Sequence, residues 1–122
     1  MKKLKRINLF NTIVSQNYNI NLIFLKKINN IESLSLGPMI YASLSSTDFT
    51  NLKILNCFDC TNMKNEDIEK LVNLESLTLN YNYNITEYAL RNLNKIKILI
   101  IQNKNKIKCI TIFTKYRILV TR

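Results

Sequence analysis

The apolar positions of this chain recur at a fixed step. From Leu52 onward, apolar or small residues fall at Leu52, Leu55, Cys57, Cys60, Met63, Ile68 and Leu71, and a step of 22 lands on Leu74, Leu77, Leu79, Asn82, Ile85, Leu90 and Leu93. A second step keeps Ile96, Leu99, Ile101, Ile107 and Ile112 in place but puts Lys104 and Lys115 at two of the seven positions. Backwards, a step of 21 aligns Ile31, Leu34, Leu36 and Met39 with Leu52, Leu55, Cys57 and Cys60, with Phe49 standing where Leu71 stands. Leu4, Ile7, Leu9 and Thr12 repeat the same opening spacing, and Leu25 and Ile28 take the places of Leu90 and Leu93.

Two periodicities follow one another inside each unit. Over 74–79, Leu77 and Leu79 alternate with Ser76, Thr78 and Asn80, the two-residue period of a strand with one buried face. Over 85–93 the spacing turns helical, with Leu90 and Leu93 on one face, Thr86 placed as an N-cap and Glu87 in the first turn. The preceding unit repeats this: Asn65 is placed to cap, Glu66 and Asp67 suit the positive end of a helix, and Ile68 and Leu71 face inward. A strand and a short helix cannot close a core alone, so the units are expected to stack, with strands in one parallel sheet and helices in an outer row.

The spacing Leu74-x-x-Leu77-x-Leu79-x-x-Asn82, and its copy Leu52-x-x-Leu55-x-Cys57-x-x-Cys60, resembles the leucine-rich repeat family, whose units recur every ~20 to 29 residues. The segment 85–93 resembles the helical half of the cysteine-containing, ribonuclease-inhibitor-like repeats found in F-box proteins, although no F-box segment is present. The resemblance covers 28–107. It implies an α/β solenoid, a short right-handed horseshoe with a parallel sheet on the concave face and short helices on the convex one. Residues 1–122 then form a single domain: 1–27 a degenerate unit or N-terminal cap, 28–107 the clear units, and 108–122 an irregular C-terminal cap. Departures are Pro38 directly after a strand and Lys104 at an expected Asn or Cys position.

At the turn that ends each strand, a buried amide such as Asn82 is expected to bond backbone groups left unpaired by the bend, and Cys60 to occupy the same place as a small weak hydrogen-bonding group. That makes Cys57 a core residue and Cys60 a turn residue. A redox pair would need a helix N-terminus to activate a thiol, and a zinc site would need a fourth ligand beyond Cys57, Cys60 and Cys109.

Between the buried positions lie those expected to point outward from the sheet: Ser33 and Ser35; Ile54, Asn56 and Phe58; Ser76, Thr78 and Asn80; Ile98, Ile100 and Gln102. Apolar Ile54, Phe58, Ile98 and Ile100 around a hydrogen-bonding strip fit a protein-binding face. The partner-binding set is therefore Ile54, Asn56, Phe58, Ser76, Thr78, Asn80, Ile98, Ile100 and Gln102, with Tyr81 and Tyr83 at the strand exit either extending the face or covering a turn.

Composition narrows the function. The 122 residues hold no His, which removes Ser/His and Cys/His nucleophiles, His metal ligands and the usual proton shuttle, so a non-enzymatic protein with no cofactor is expected. Three Cys are too few for a disulfide framework, and no run approaches the ~18 apolar residues of a membrane span. The basic start at 2–6 followed by an apolar stretch is broken by Asn8, Asn11 and Thr12, unlike a signal peptide. An intracellular, cytoplasmic protein with a protein partner is the expectation. The net charge of +10 supplies the rival: 88–122 carries nine cations and no carboxylate, a segment suited to nucleic acid or an acidic protein, whereas 62–87 carries two lysines against five carboxylates. The abundance of Asn, Ile and Lys together gives that charge a compositional source as well.

Overall fold

The computed structural model describes residues 5–9, 30–37, 49–60, 63–82, 84–102 and 117–121. Six strands, β1 (Arg6–Leu9), β2 (Ser33–Leu36), β3 (Ile54–Phe58), β4 (Ser76–Asn80), β5 (Ile98–Gln102) and β6 (Arg117–Thr121), form one sheet in the order β1-β2-β3-β4-β5-β6. Every adjacent pair is parallel. Each strand therefore lies beside its neighbour in sequence, and register is kept across the sheet: Leu34, Leu55, Leu77 and Leu99 share one row, Leu36, Cys57, Leu79 and Ile101 another.

Those two rows point into the core. Joined by Leu52, Cys60, Met63, Ile68, Leu71, Leu74, Ile85, Leu90, Leu93 and Ile96, they build a single buried cluster, so the residues of the 22-step pattern from Leu52 to Ile101 are its body. At ~1.5–3 kcal/mol for each fully buried Leu or Ile, this cluster is the main stabilising element of the fold.

The helical segments are shorter than the pattern suggests. One is a single turn, α1 (Asn65–Ile68), and the other a single 3₁₀ turn, Glu87–Leu90, packed against it. The chain continues from each by i to i−3 hydrogen bonds, Leu71 N–H to Ile68 O (2.9 Å), Leu74 N–H to Leu71 O (3.1 Å) and Leu93 N–H to Leu90 O (3.2 Å). Such tight bonds let 59–75 and 81–97 return to the next strand while keeping Leu71 and Leu93 inward, where an extended α-helix would overshoot.

Capping also differs from expectation. The α1 N-cap residue is Lys64, not Asn65, and the Asp67 carboxylate accepts the Lys64 N–H at 2.8 Å, a charge at the positive helix end. The Asn65 side chain reaches the next unit instead, accepting the Thr86 N–H (2.9 Å) and donating to Thr86 Oγ1 (2.8 Å). Thr86 is the N-cap residue of the 3₁₀ turn as expected, yet its hydroxyl makes no capping bond.

At the C-terminal end the segment 117–121 is a strand, as its apolar run suggests. It pairs parallel to β5 and extends the sheet by one more strand. The segments 10–29 and 108–113 lie outside the described residues, as do Met39, Lys104, Ile107 and Lys115 of the repeat pattern.

A longer period overlies the 22-residue step. Asn30-Ile31-Glu32-Ser33-Leu34-Ser35-Leu36 matches Asn73-Leu74-Glu75-Ser76-Leu77-Thr78-Leu79, while Lys53-Ile54-Leu55 matches Lys97-Ile98-Leu99. In these stretches β2 is thus more like β4, and β3 more like β5, than like the strand beside it. The residues just before β1 to β5 read Lys5, Glu32, Lys53, Glu75, Lys97, opposite in sign at every step. Two of the resulting pairs close, Lys5–Glu32 at 3.6 Å and Lys97–Glu75 at 3.2 Å.

Candidate partner-binding face

The turn after each strand is built the same way twice. Asp59 (φ 54°) and Tyr81 (φ 57°), one step of 22 apart, both take left-handed backbone, which is strained for a residue with a side chain. The bend leaves backbone groups to be matched, and Asn82, fully buried, does so: its Oδ1 accepts the Asn80 N–H at 2.8 Å and its Nδ2 donates to Cys60 O at 3.4 Å. Cys60 occupies the equivalent place one unit earlier, its thiol donating toward Gly37 O (3.4 Å) and Phe58 O (3.5 Å).

Cys57 and Cys60 are both buried free thiols. The Cys57 thiol lies 3.5 Å from Met63 Sδ, and its hydrogen bond to Cys60, reinforced by burial, pushes its pKa well above the ordinary thiol value. A thiol so held is a poor nucleophile. Cys109 lies outside the described residues. Among those described, no three of Cys, Asp and Glu converge as metal ligands, and no helix is long and apolar enough to cross a membrane.

The outward positions line up as three rows. Arg6, Ser33, Ile54, Ser76, Ile98 and Arg117 pair in the first row, Asn8, Ser35, Asn56, Thr78, Ile100 and Leu119 in the second, and Phe58, Asn80, Gln102 and Thr121 in the third. Of the nine candidate contact residues, Ile54, Asn56, Phe58, Ser76, Asn80 and Ile100 are half-buried and Ile98 is exposed. Thr78 is only 7% exposed, flanked by the larger Asn56 and Ile100 of the adjoining strands. Gln102 holds its register place opposite Asn80. Asn56 Nδ2 donates to Ser35 Oγ at 3.2 Å, tying two members of the second row. Asn80 Oδ1 is buried and has no hydrogen-bond partner among the described residues.

Sequence reading placed the rows but missed the relief across them. Bulky apolar groups stand on β3 and β5, Ser and Thr on β2 and β4 beside them. The signal was present in the two-unit period, which a comparison of adjacent units alone does not reveal.

The strand-entry rim was also missed. There Asn51, Lys53, Asn73, Glu75 and Lys95 line an open cavity of ≈350 Å³. Lys95 Nζ donates to Asn73 Oδ1 (2.7 Å), Asn51 Nδ2 to Asn30 Oδ1 (3.2 Å), and Asn73 Nδ2 to Thr50 O. Three lysines, Lys53, Lys95 and Lys97, flank one carboxylate, Glu75, which Lys97 already holds.

Tyr81, on the strand exit, is exposed, as is Tyr88, whose ring lies under the Arg91 guanidinium at 4.1 Å. Tyr83 lies outside the described residues, and so do Lys104, Lys106, Lys108, Lys115 and Arg122 of the basic segment. Comparison of the chain with protein-family models, with curated proteins and with solved structures returns no match.

Proposed function

We propose that the chain is a leucine-rich-repeat-type solenoid that works as a non-enzymatic interaction module, an adaptor or substrate receptor, holding a protein partner on the sheet face opposite its core. The observation that carries this reading is the line of Ile54, Phe58, Ile98 and Ile100 at outward register positions of β3 and β5, with Ile98 45% exposed. Side chains of that kind gain little on an open sheet in water and much when a partner covers them. The polar members, Ser76, Asn56 and Asn80, supply hydrogen bonding between apolar anchors, the composition of a protein interface. The repeat pattern supports the solenoid reading, and six parallel strands in sequence order are compatible with it.

The test is capture from the native cell, using the wild-type chain and a Phe58→Ala, Ile100→Ser variant whose melting curve stays cooperative. Partners read by mass spectrometry are expected on the wild type and reduced at least tenfold on the variant. An unchanged set of partners would remove the face from the proposal.

A further inference from the structure

We infer that the face holds one amphipathic helix of its protein partner, docked along β4 and running antiparallel to it. This deepens the reading of the face as a partner site and rests on it.

The inference starts from the alternation of bulk. Ile54, Asn56 and Phe58 on β3 and Ile98 and Ile100 on β5 flank Ser76, Thr78 and Asn80 on β4, so the walls are bulky, with Asn56 as the polar member of the β3 wall. Strands lie ~4.8 Å apart, so the two walls stand ~10 Å apart, with a floor of Ser76 and Thr78 that ends at Asn80. Burial agrees: Thr78 on the floor is 7% exposed and Ile98 on a wall 45%. The equivalent floor on β2, Ser33 and Ser35, has the polar Arg6 and Asn8 on its far side, so apolar residues stand on both sides of β4 but on one side of β2.

A channel of that width receives one row of side chains, which is what a ridge of i, i+3, i+4 and i+7 residues provides. An extended segment lying on the same face would turn its backbone N–H and C=O groups toward apolar walls, whereas a helix pairs them internally. The five residues of β4 span ~16 Å, the length of about eleven helical residues.

Direction comes from charge. Each wall begins at a lysine, Lys53 before Ile54 and Lys97 before Ile98, with Lys95 beside them and Glu75 already paired. Cations at one end of the channel favour the C-terminal, partially negative end of a helix, and acidic residues in its last turn. The docked helix therefore points its C-terminus toward the strand-entry rim.

Two displayed peptide libraries of equal composition test this, one with apolar positions at helical spacing and one with strict alternation, selected together on the wild-type chain. Helically spaced clones with Asp or Glu in the last turn are expected to dominate. They should lose at least tenfold in affinity on Ser76→Phe, which fills the channel from a half-buried surface position, and on Ile98→Asp, which removes a wall. The Lys53→Glu, Lys97→Glu variant should weaken them about fivefold. Dominance of alternating clones that still depend on Ser76 and Ile98 overturns the helix and leaves the face standing. Clones indifferent to all three variants overturn the channel itself, and retention of the cellular partner by the Phe58→Ala, Ile100→Ser variant is the separate result that removes the face.

Discussion

Asn82 shows how one side chain can decide whether a turn exists. Its amide serves a backbone N–H of its own strand and a carbonyl of the preceding unit, both shielded from water. Replacing it with Leu takes away the acceptor of the Asn80 N–H and leaves Cys60 O with the Met63 N–H alone (3.0 Å), and a loss of about 1–3 kcal/mol is expected in urea unfolding. Asn82→Cys should lose less, since Cys60 already fills the equivalent place. Tyr81 at φ 57° gives a sharper contrast: Tyr81→Val is expected to be at least 1 kcal/mol less stable than Tyr81→Gly, because a β-branched residue is the worst and glycine the best occupant of left-handed backbone. Cys57 carries a pH signature. Its folded-state pKa is raised by the bond to Cys60 and by burial, so its stabilisation is complete below the ordinary thiol value of 9.0 and is lost as pH climbs through the higher folded value. Between pH 8 and pH 10 this loss is opposed by Cys60, whose pKa the same bond lowers.

Strands and helices were unequally legible. The bounds of β3, β4 and β5 coincide with the expected outward and inward residues because alternating burial is a property of the residues themselves. The helical segments were over-read: Leu90 and Leu93 do face the core, but through 3₁₀-type bonds whose tightness depends on how far the next strand lies. Nothing local in Asn65 announces that its side chain serves Thr86, one unit away, rather than its own helix. Asp67, expected at the positive helix end and found bonded to the Lys64 N–H there, makes a prediction here: Asp67→Ala should cost about 1 kcal/mol, and Asp67→Asn less. Between elements, the Glu75–Lys97 pair is exposed and contributes only about 0.5 kcal/mol. Lys97→Glu should lower the melting temperature slightly at low salt, and Glu75→Lys in the same chain should recover part of the loss; added salt should erase both effects.

Among the described residues the core follows the sheet, in which each inner strand lies between its neighbours in sequence. Removing bulk in the middle of such a stack severs two interfaces. Leu77→Ala, between β3 and β5, is therefore expected to cost about 3 kcal/mol or more and to lower the single unfolding transition of the entire chain. The candidate face was legible from Ile54, Phe58, Ile98 and Ile100, but its channel was hidden, because relief arises only when unlike strands are laid side by side. The same alternation gives the stack a parity. Excising residues 53–74 would bring Glu32 beside Glu75 and set two serine-faced strands together, whereas excising 53–96 would bring Glu32 beside Lys97 and keep the sequence of signs intact. Chains of this design should therefore tolerate gain or loss of units in twos, and an odd change should be felt at the new seam as like charges meeting and as an interruption of the walls.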